Sequence, residues 1–486
     1  MALMLETTDG ATGVLINHDL ALKKIYRNVK IRTQTFRSCF MKSDLFDIHE
    51  PYKMDSQIFA EQNAKDKEKT QRKKKRKRKI ELNIGELEAR EYHSKIVQRI
   101  SEVHMKLILK AKEMKYIEEK NECKAKNLLE TERESGTGIA SPEYQQLTEV
   151  DNNQSARQAA RTRETDTILR DVCLTETQST KHQSPVTMLE HVQLSKCVNT
   201  VISNDWNNPG LCHIDAETYI IPHKSTFLLS DFTHHKMLYP NSGDELYDLI
   251  VLDPPWQNKS VKRKKMYGSL QDEDLLDIHM DKLAAPGCLV VVWVTNRMKH
   301  LKFVKETLFP NWAVTHLAEW HWLKITKYGE MVYDISSNHK KPYEIILIGR
   351  YSGTQSASDG KQETEEHTKQ YSVKCDTGGT IVQTKADETE CGRLTGAGFS
   401  DDGGPDEHRT PRKKEGETGC IPANHVIISV PCALHSVKPP LFEVLKKYLR
   451  ENPRCLELFA RNLWPGWTSW GNEVLFHQHM DFYEVG

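Results

Sequence analysis

The tetrapeptide Asp253-Pro254-Pro255-Trp256 limits the possible folds of this chain more than any other feature. It follows the apolar run Leu249–Leu252, which has the composition of a parallel strand buried on both faces. Two consecutive prolines cannot continue such a strand, because proline has no N–H to donate to a sheet. The sequence therefore predicts a central strand that ends at Asp253. Its carboxylate would lie at the carboxyl edge of a sheet, where open α/β folds bind ligands.

The chemistry of this turn suits recognition of a flat base that carries an amino group. The Asp253 carboxylate and the Pro254 carbonyl are two acceptors, which match the two hydrogens of an exocyclic amine. The indole of Trp256 offers a face on which a base can stack. The alternative is a turn that only ends the strand.

Composition excludes several classes of protein. Lys+Arg and Asp+Glu both number 68, so the net charge identifies no partner. The eleven cysteines include no CxxC pair, and Cys432, His425 and His435 lack a fourth ligand, so we expect no disulfide framework and no metal site. The longest apolar run, Cys288–Val294, is too short to span a bilayer, and Met1–Gly10 lacks the pattern of a secretory signal. We expect a soluble intracellular protein without a membrane partner.

A basic run dominates the first part of the chain. Within residues 65–79, which follow a partly ordered N-terminal region at 1–64, Arg72–Lys79 is eight consecutive basic residues. Such a run is typical of nuclear localisation or nucleic-acid contact, and a solvated charge run is the alternative. We expect the protein in the nucleus, with some in the cytosol.

A helix at about Glu86–Lys120 is predicted within a helical segment at 80–130. Apolar residues recur there at spacings of four and three, and we expect this stripe to pack on the main domain of the same chain, with pairing to another chain as the alternative. The stripe consists of Ile96, Ile100, Val103, Leu107, Met114 and Ile117. Residues 131–200, rich in Ser, Thr, Gln and Glu, are predicted to be a polar linker. As a whole, the first 200 residues are expected to contribute little to a hydrophobic core.

Residues 201–486 alternate short β-type runs with helical stretches, which is typical of an α/β fold with a mostly parallel sheet and helices on both faces. The predicted strands are Phe227–Leu229, Asp248–Leu252, Leu289–Val294, Glu344–Ile348, Val426–Val430 and Leu456–Phe459, and the predicted helices are Asp272–His279, Lys299–Leu308 and Leu441–Leu449. Residues 352–419 interrupt this domain with Gly, Thr, Ser, Asp, Glu and Lys. We predict a disordered insertion there, because burial would not offset the entropy lost on ordering.

Five motifs stand in a fixed order along this domain: Leu252–Trp256, Met266–Gly268, Val292–Asn296, Trp322–Lys324 and Leu456–Arg461. In this order they resemble the adenine N6-methyltransferase family of the messenger-RNA writers. The resemblance covers Val201–Glu484 apart from the insertion. It implies a Rossmann-like, S-adenosylmethionine-dependent fold with permuted motif order, in which the catalytic strand precedes the strand that holds the cofactor ribose. The chain has no GxGxxG loop, which fits a cofactor without a pyrophosphate.

The resemblance also implies roles for individual residues. The catalytic residues would be Asp253, Pro254, Pro255 and Trp256, with Trp256 and Tyr267 flanking a flipped base. The cofactor would be held by Asp231 and Phe232 at its adenine, by Lys438 at its methionine carboxylate and by Asn472 and Glu473 at its ribose, with Arg461 on the same side. Asp253 need not be a strong base, since the proton can leave after the methyl group has been transferred.

Further residues are candidates for substrate contact. Lys259, Lys262 and Arg263 form a basic loop beside the predicted turn, and either phosphate contact or a solvated loop fits them. Trp322 and Lys324 would line the substrate groove, unless the tryptophan is a core aromatic, and His339 falls on a loop that the family uses near its substrate.

The expected activity is N6-methylation of adenine in RNA. The resemblance favours an adenosine already methylated on its 2′-oxygen in a spliceosomal small nuclear RNA. DNA adenine methylation is the enzymatic alternative, and a non-catalytic RNA-binding partner subunit is the alternative of another class. A protein partner is possible but not required.

Overall fold

The structure is a computed structural model that describes residues 4–7, 12–26, 29–30, 36–52, 84–120, 186–187, 191–241, 243–256, 270–337, 340–353 and 420–485. All of them belong to one unit, Met1–Thr354 with Thr418–Gly486. Several predictions lie outside the described residues. They concern the basic run at 65–79, the substrate residues Lys259, Lys262, Arg263, Tyr267 and His339, and the predicted insertion except Ser352 and Gly353.

Twelve of the described strands form one sheet, in which most neighbours are parallel. In chain order the strands are β1 (Met4–Glu6), β2 (Gly13–Ile16), β3 (Val29–Lys30), β4 (Phe36–Arg37), β5 (Cys39–Met41), β6 (Val186–Thr187), β7 (His191–Val192), β8 (Val201–Ser203), β9 (Gly210–Ile214), β10 (Glu217–Ile221), β11 (Thr226–Leu229), β12 (Tyr247–Leu252), β13 (Ala284–Val294), β14 (Val314–Lys324), β15 (Tyr343–Tyr351), β16 (Asn424–Ser429), β17 (Cys455–Leu458), β18 (Trp467–Gly471) and β19 (Tyr483–Val485). The order in the large sheet is β1-β2-β16-β14-β15-β13-β12-β17-β18-β11-β8-β6. The predicted α/β class with a mostly parallel sheet is therefore confirmed.

The strand β12 lies inside this sheet, with β13 on one side and β17 on the other, both parallel to it. Its residues alternate between two cores, because Leu249 and Val251 pack on one face and Ile250 and Leu252 on the other. All four are at most 4% exposed, which explains why the run has no polar position. The preceding strand of the large sheet, β11, lies on the β17 side of β12, and the following strand, β13, lies on the other side, so the strand order reverses at β12 and a crevice is expected at its carboxyl end.

Helices cover both faces of the sheet. They are α1 (His18–Ile25), α2 (Ile84–Glu113), α3 (Leu194–Cys197), α4 (Met298–Phe303), α5 (Phe309–Asn311) and α6 (Leu441–Leu445), with a π-helical turn at Val304–Leu308. Leu301 and Leu308 pack on the face that contains Ile250, and Leu445 packs on the opposite face. The predicted helix Asp272–His279 is instead a 3-10 helix over Asp272–Asp277, a geometry that is common in short connecting segments.

The helix α2 packs on the same domain, as its apolar stripe predicts. Ile100, Val103 and Leu107 have no exposed surface and share one cluster with strand residues such as Leu323. The approach of α2 to β2 is close, since a Cβ at Gly13 would lie 2.2 Å from Val103 Cγ1. Only glycine fits at this position.

The end of α2 differs from the prediction. The helix stops at Glu113 instead of about Lys120. Lys115 takes a left-handed φ of +53°, and the Tyr116 N–H donates to the Ala111 carbonyl over 2.7 Å. A left-handed residue after the last turn closes a helix in this way.

The N-terminal boundary of the domain also differs from the prediction. The residues of β2 were expected to lie outside the core, yet Val14 and Ile16 are at most 2% exposed and β2 pairs with β16. The predicted linker at 131–200 likewise ends too late, because Leu194 and Cys197 of α3 are buried against Ile202. These elements have only two to four apolar residues each, too few to show a periodic pattern.

The described residues contain neither a candidate membrane span nor a candidate metal cluster. None of the described helices combines the length and the apolar character needed to cross a membrane. Within the same residues, His, Cys, Asp and Glu side chains form no group of three or more that could hold a metal ion.

Candidate active site

The carboxyl ends of four neighbouring parallel strands, β12, β17, β18 and β11, meet at one edge of the sheet. Each strand is followed there by residues that the sequence singled out. Asp253 follows β12, Arg461 lies three residues beyond β17, Glu473 follows β18, and Asp231 follows β11. Parallel pairing brings together residues that are up to 242 positions apart, which is why the site forms here.

Asp253 is held between two cations at this edge. Its Oδ1 lies 3.5 Å from Lys438 Nζ, and its Oδ2 lies 3.4 Å from Arg461 Nη1. The side chains of Asp253 and Lys438 are each 14% exposed. Water therefore screens this pair less than it would screen an ion pair at the surface.

These contacts belong to a longer chain of alternating charges. Arg461 Nε donates to Glu473 Oε2 over 2.9 Å at one end. At the other end Lys438 Nζ donates to Glu344 Oε2 over 2.6 Å, and Lys324 Nζ donates to Glu344 Oε1 over 2.5 Å. The three cations and three anions balance, so the partly buried site carries little net charge.

The ion pairs determine the protonation states of the residues in this chain of charges. Burial alone would raise the pKa of Glu344, but Lys324 and Lys438 hold it well below its usual range. Burial alone would lower the pKa of Lys438, but Asp253 and Glu344 outweigh it and raise that pKa. Lys438 is therefore a permanent cation at neutral pH, and it also lies 4.8 Å from the centre of the Trp293 ring.

The turn after Asp253 is tightly closed. The Trp256 N–H donates to the Pro254 carbonyl over 2.8 Å, which leaves one lone pair of that carbonyl available. Pro254 is buried, whereas Pro255 is exposed. The expectation that the Trp256 ring flanks a base differs from the structure. The ring is 7% exposed, it donates from Nε1 to the Trp293 carbonyl over 2.7 Å, and His300 stacks on it.

Four of the residues predicted to hold the cofactor follow β11 and β18, two neighbouring parallel strands: Asp231, Phe232, Asn472 and Glu473. Asp231 Oδ1 accepts from the Thr233 N–H over 2.9 Å and so begins the 3-10 helix Phe232–Leu238. The Phe232 ring lies parallel to the Phe459 ring, with centroids 6.1 Å apart and planes 7° apart. Asn472 is exposed and its neighbour Glu473 is buried.

Trp322 and Lys324 occupy different environments. Trp322 is 2% exposed, donates from Nε1 to Ser429 Oγ over 2.9 Å and packs edge-on against Trp293, so it is a core aromatic instead of a groove residue. The Lys324 ammonium lies 4.5 Å above the Trp322 ring, at the sheet edge, where it joins the charge chain through Glu344.

Sequence reasoning missed two carboxylates of this site. Glu344 is the second residue of β15, and the prediction treated it only as the first residue of a strand. Glu457 stands inside β17, where its side chain is almost completely buried. Burial, followed by the nearby Asp253 carboxylate, raises the pKa of Glu457 to about 8. The signal for Glu457 was present, since an acid within Cys455–Leu458 breaks an apolar strand.

The donor chemistry at this edge fits S-adenosylmethionine. The cofactor has a carboxylate, a pair of ribose hydroxyls and a flat adenine. Lys438 offers a permanent cation for the carboxylate, Glu473 a carboxylate that can accept from hydroxyls, and Phe232 an aromatic surface.

Comparison with known families identifies the domain. Residues 247–380 and 408–473 match the sequence profile of the MT-A70 family, and they form an MT-A70 domain. This confirms the family that the five motifs indicated. The break in the match, between residues 380 and 408, falls inside the segment predicted to be an insertion.

Individual relatives agree with this assignment. The chain is 42% identical over 284 residues to the human N(6)-adenine-specific methyltransferase METTL4, covering 58% of this chain and 48% of the relative. It is 29% identical over 337 residues to the DNA N6-methyl methyltransferase of Caenorhabditis elegans, covering 68% and 73%. It is 30% identical over 246 residues to the N6-methyladenosine RNA methyltransferase MTA1 of Cryphonectria parasitica, covering 49% and 54%. The chain thus spans about half the length of the METTL4 proteins that it matches.

Proposed function

We propose that this chain is an enzyme that methylates N6 of adenine in a polynucleotide, with S-adenosylmethionine as cofactor. One observation carries the proposal: the Asp253 carboxylate lies at the carboxyl end of a central strand between Lys438 and Arg461. The MT-A70 match and the names of the relatives support the same activity.

The residues of the turn would activate the amine. The lone pair of an adenine amine is delocalised into the ring, so the amine is a poor nucleophile. Asp253 and the free lone pair of the Pro254 carbonyl would accept its two hydrogens, which directs the nitrogen lone pair toward the methyl donor. Because Lys438 and Arg461 hold the carboxylate, its orientation does not have to be established during the reaction. The nitrogen would form its new bond to the methyl carbon as the bond from that carbon to sulfur breaks and leaves its electron pair on sulfur, and the nitrogen would then lose one proton to solvent.

The cofactor supplies an electrophilic methyl group when it is bound. Lys438 would hold its carboxylate, Glu473 and Asn472 its ribose, and Asp231 and Phe232 its adenine. Arg461 pairs with both Asp253 and Glu473, and so links the catalytic turn to the proposed ribose site.

RNA is the proposed substrate class, with a 2′-O-methyladenosine of a spliceosomal small nuclear RNA as the preferred target. An enzyme that acts on a base must take it out of a stack, and an unpaired strand lowers that cost. A contact to the 2′-oxygen would separate RNA from DNA. DNA is the second candidate substrate, since one relative is named as a DNA N6-methyl methyltransferase.

The test compares the wild type with Asp253→Ala, using methyl-labelled S-adenosylmethionine. The substrates are short unpaired RNAs with and without a 2′-O-methyl on the target adenosine, and single-stranded and duplex DNA of the same sequence. Asp248→Ala is the matched control, because Asp248 lies at the opposite end of the same strand and pairs with Arg450. We expect Asp253→Ala to lower turnover at least about 100-fold, and Asp248→Ala to retain it.

The outcomes separate the alternatives. Label in RNA that increases with the 2′-O-methyl supports the proposed substrate. Label found mainly in DNA would support the proposed reaction but would make DNA the substrate instead of RNA. Retained turnover in Asp253→Ala would refute the account of the turn, and nucleic-acid binding without any label would favour a non-catalytic subunit.

We propose a nuclear location, with a smaller cytosolic pool, on the basis of the basic run Arg72–Lys79. Replacing that run with alanine should move a tagged protein out of the nucleus. Unchanged distribution would leave nucleic-acid contact as the role of the run.

A further inference from the structure

The ring of Trp256 is the anchor of the catalytic turn. Its Nε1–H donates over 2.7 Å to the Trp293 carbonyl on the neighbouring strand β13. Its backbone N–H closes the turn on the Pro254 carbonyl. The indole therefore ties the end of the turn to β13, while Lys438 and Arg461 hold the start of the turn at Asp253.

His300 of α4 supports the face of that indole. The two rings stack with centroids 4.8 Å apart and planes inclined by 22°. His300 is 1% exposed, so its ring cannot move without disturbing its neighbours. Its Nδ1 lies 2.7 Å from Thr295 Oγ1, and this hydrogen bond fixes the rotation of the imidazole.

Asp272 is a second buried neighbour of the imidazole. Asp272 Oδ2 lies 3.7 Å from His300 Nε2, beyond hydrogen-bond distance, and 2.7 Å from Lys299 Nζ. Burial is the largest influence on the pKa of His300 and lowers it; Asp272 raises it, whereas Arg297 and Lys299 lower it further. The net result is a lowered pKa, so the imidazole is neutral at neutral pH and stacks on the indole as an uncharged ring.

The turn itself transmits any movement of Trp256. Two prolines separate Trp256 from Asp253, and the fixed φ of proline makes this link stiff. A tilt of the indole would therefore shift the Pro254 carbonyl and the Asp253 carboxylate together. In the proposed function, these two acceptors must be positioned to accept the two hydrogens of the adenine amine.

We propose that His300 is a positioning residue for the catalytic turn: its imidazole, oriented by Thr295 and flanked by Asp272, holds Trp256 and so sets the position of Asp253 together with Lys438 and Arg461. The inference rests on the proposed function for its kinetic consequence only. The mechanical part, that His300 holds Trp256, stands on the geometry.

The structural test follows Trp256 directly. The chain has nine tryptophans, so the protein labelled with 5-fluorotryptophan gives a resolvable fluorine NMR spectrum, in which Trp256→Phe assigns the line of interest. We expect this line to shift and broaden in His300→Ala and to stay close to the wild type in His300→Phe, which preserves a stacking ring. An unchanged line in His300→Ala would overturn the proposal, whether or not the wild type methylates anything.

The kinetic test uses the same variants with methyl-labelled cofactor and the unpaired RNA. We expect kcat to fall at least about tenfold in His300→Ala, because small misplacements of reacting groups are costly. The dissociation constant for S-adenosylmethionine should stay within about twofold of the wild type, because His300 acts through Trp256, Thr295 and Asp272, none of which is a proposed ligand of the cofactor. His300→Phe should recover most of kcat. A moved Trp256 line with unchanged kcat would overturn the positioning role.

A second histidine–tryptophan pair, His425 and Trp320, provides a control for the loss of packing. His425 is 5% exposed, and its ring lies 4.7 Å from that of Trp320, at the start of β16 and away from the site. His425→Ala should lower stability without lowering kcat, measured well below the melting temperature. An equal loss of kcat in His425→Ala would show a general packing effect and overturn the proposal. If the wild type methylates no substrate while the Trp256 line still moves in His300→Ala, the proposed function fails and the anchoring of the turn stands.

Discussion

Glu457 is a buried acid whose replacement by glutamine should change how stability depends on pH. It lies in β17 with 6% exposure, and its Oε2 has no hydrogen-bond partner among the described residues. Burial, then Asp253, raises its pKa from 4.5 to about 8, while a hydrogen bond with Trp464 and the nearby Arg461 and Lys438 act in the opposite direction. The folded protein therefore keeps a proton that the unfolded chain releases at lower pH.

The sign and size of the effect follow from this difference. Between pH 4.5 and about 8 the unfolded chain binds fewer protons at Glu457 than the folded protein does, so the unfolding free energy falls as the pH rises. While Glu457 is deprotonated in the unfolded chain and protonated in the folded protein, the unfolding free energy falls by about 1.4 kcal/mol per pH unit. The fall between about pH 5.5 and 7.5 is about 2.5 kcal/mol, because the folded protein begins to lose the proton near the upper end of this interval. Glu457→Gln removes this contribution and keeps the shape of the side chain. The variant should gain stability relative to the wild type by roughly that amount over this interval.

The measurement is urea unfolding of both proteins at about pH 5.5, 6.5 and 7.5, followed by tryptophan fluorescence and circular dichroism. The slope of the difference is diagnostic, because any cost of burying the glutamine amide is the same at each pH. Glu451→Gln is the control, since Glu451 is exposed six residues earlier and should follow the wild type. Parallel pH profiles of the wild type and Glu457→Gln would refute the reasoning about the buried acid.

Two further predictions test the packing of α2 and the charge chain. Ile100→Ala should lower the unfolding free energy by about 2–5 kcal/mol, because the side chain is fully buried, and Met105→Ala on the exposed side of the same helix should change it by less than about 0.5 kcal/mol. Equal effects in urea unfolding would contradict the docking of α2. Lys438→Met should weaken S-adenosylmethionine at least about tenfold in calorimetry, because a buried cation is lost. The exposed Lys446→Met should bind the cofactor as the wild type does, and an unchanged dissociation constant in Lys438→Met would remove Lys438 from the cofactor site.

The elements that sequence predicted well share a physical property. In Leu249–Leu252 and in the stripe of α2, the pattern of apolar residues reports directly which faces are buried. The turn at Asp253 is equally local, because proline stops a strand whatever surrounds it. Short elements such as β2 and α3 were missed, since their burial depends on neighbours that a window of sequence does not contain.

The amino-acid sequence by itself determined the class of the fold, the strand that ends at Asp253 and the family of the domain, because each depends on residues that are contiguous or in a fixed order. Only the tertiary structure decided the partners of those residues. It joined Glu344 to Lys438 across 94 positions, stacked Trp256 on His300, and buried Glu457 beside Asp253. Parallel pairing of β12, β17, β18 and β11 brings distant strand ends to one edge, and local patterns of polarity do not encode which side chains meet there.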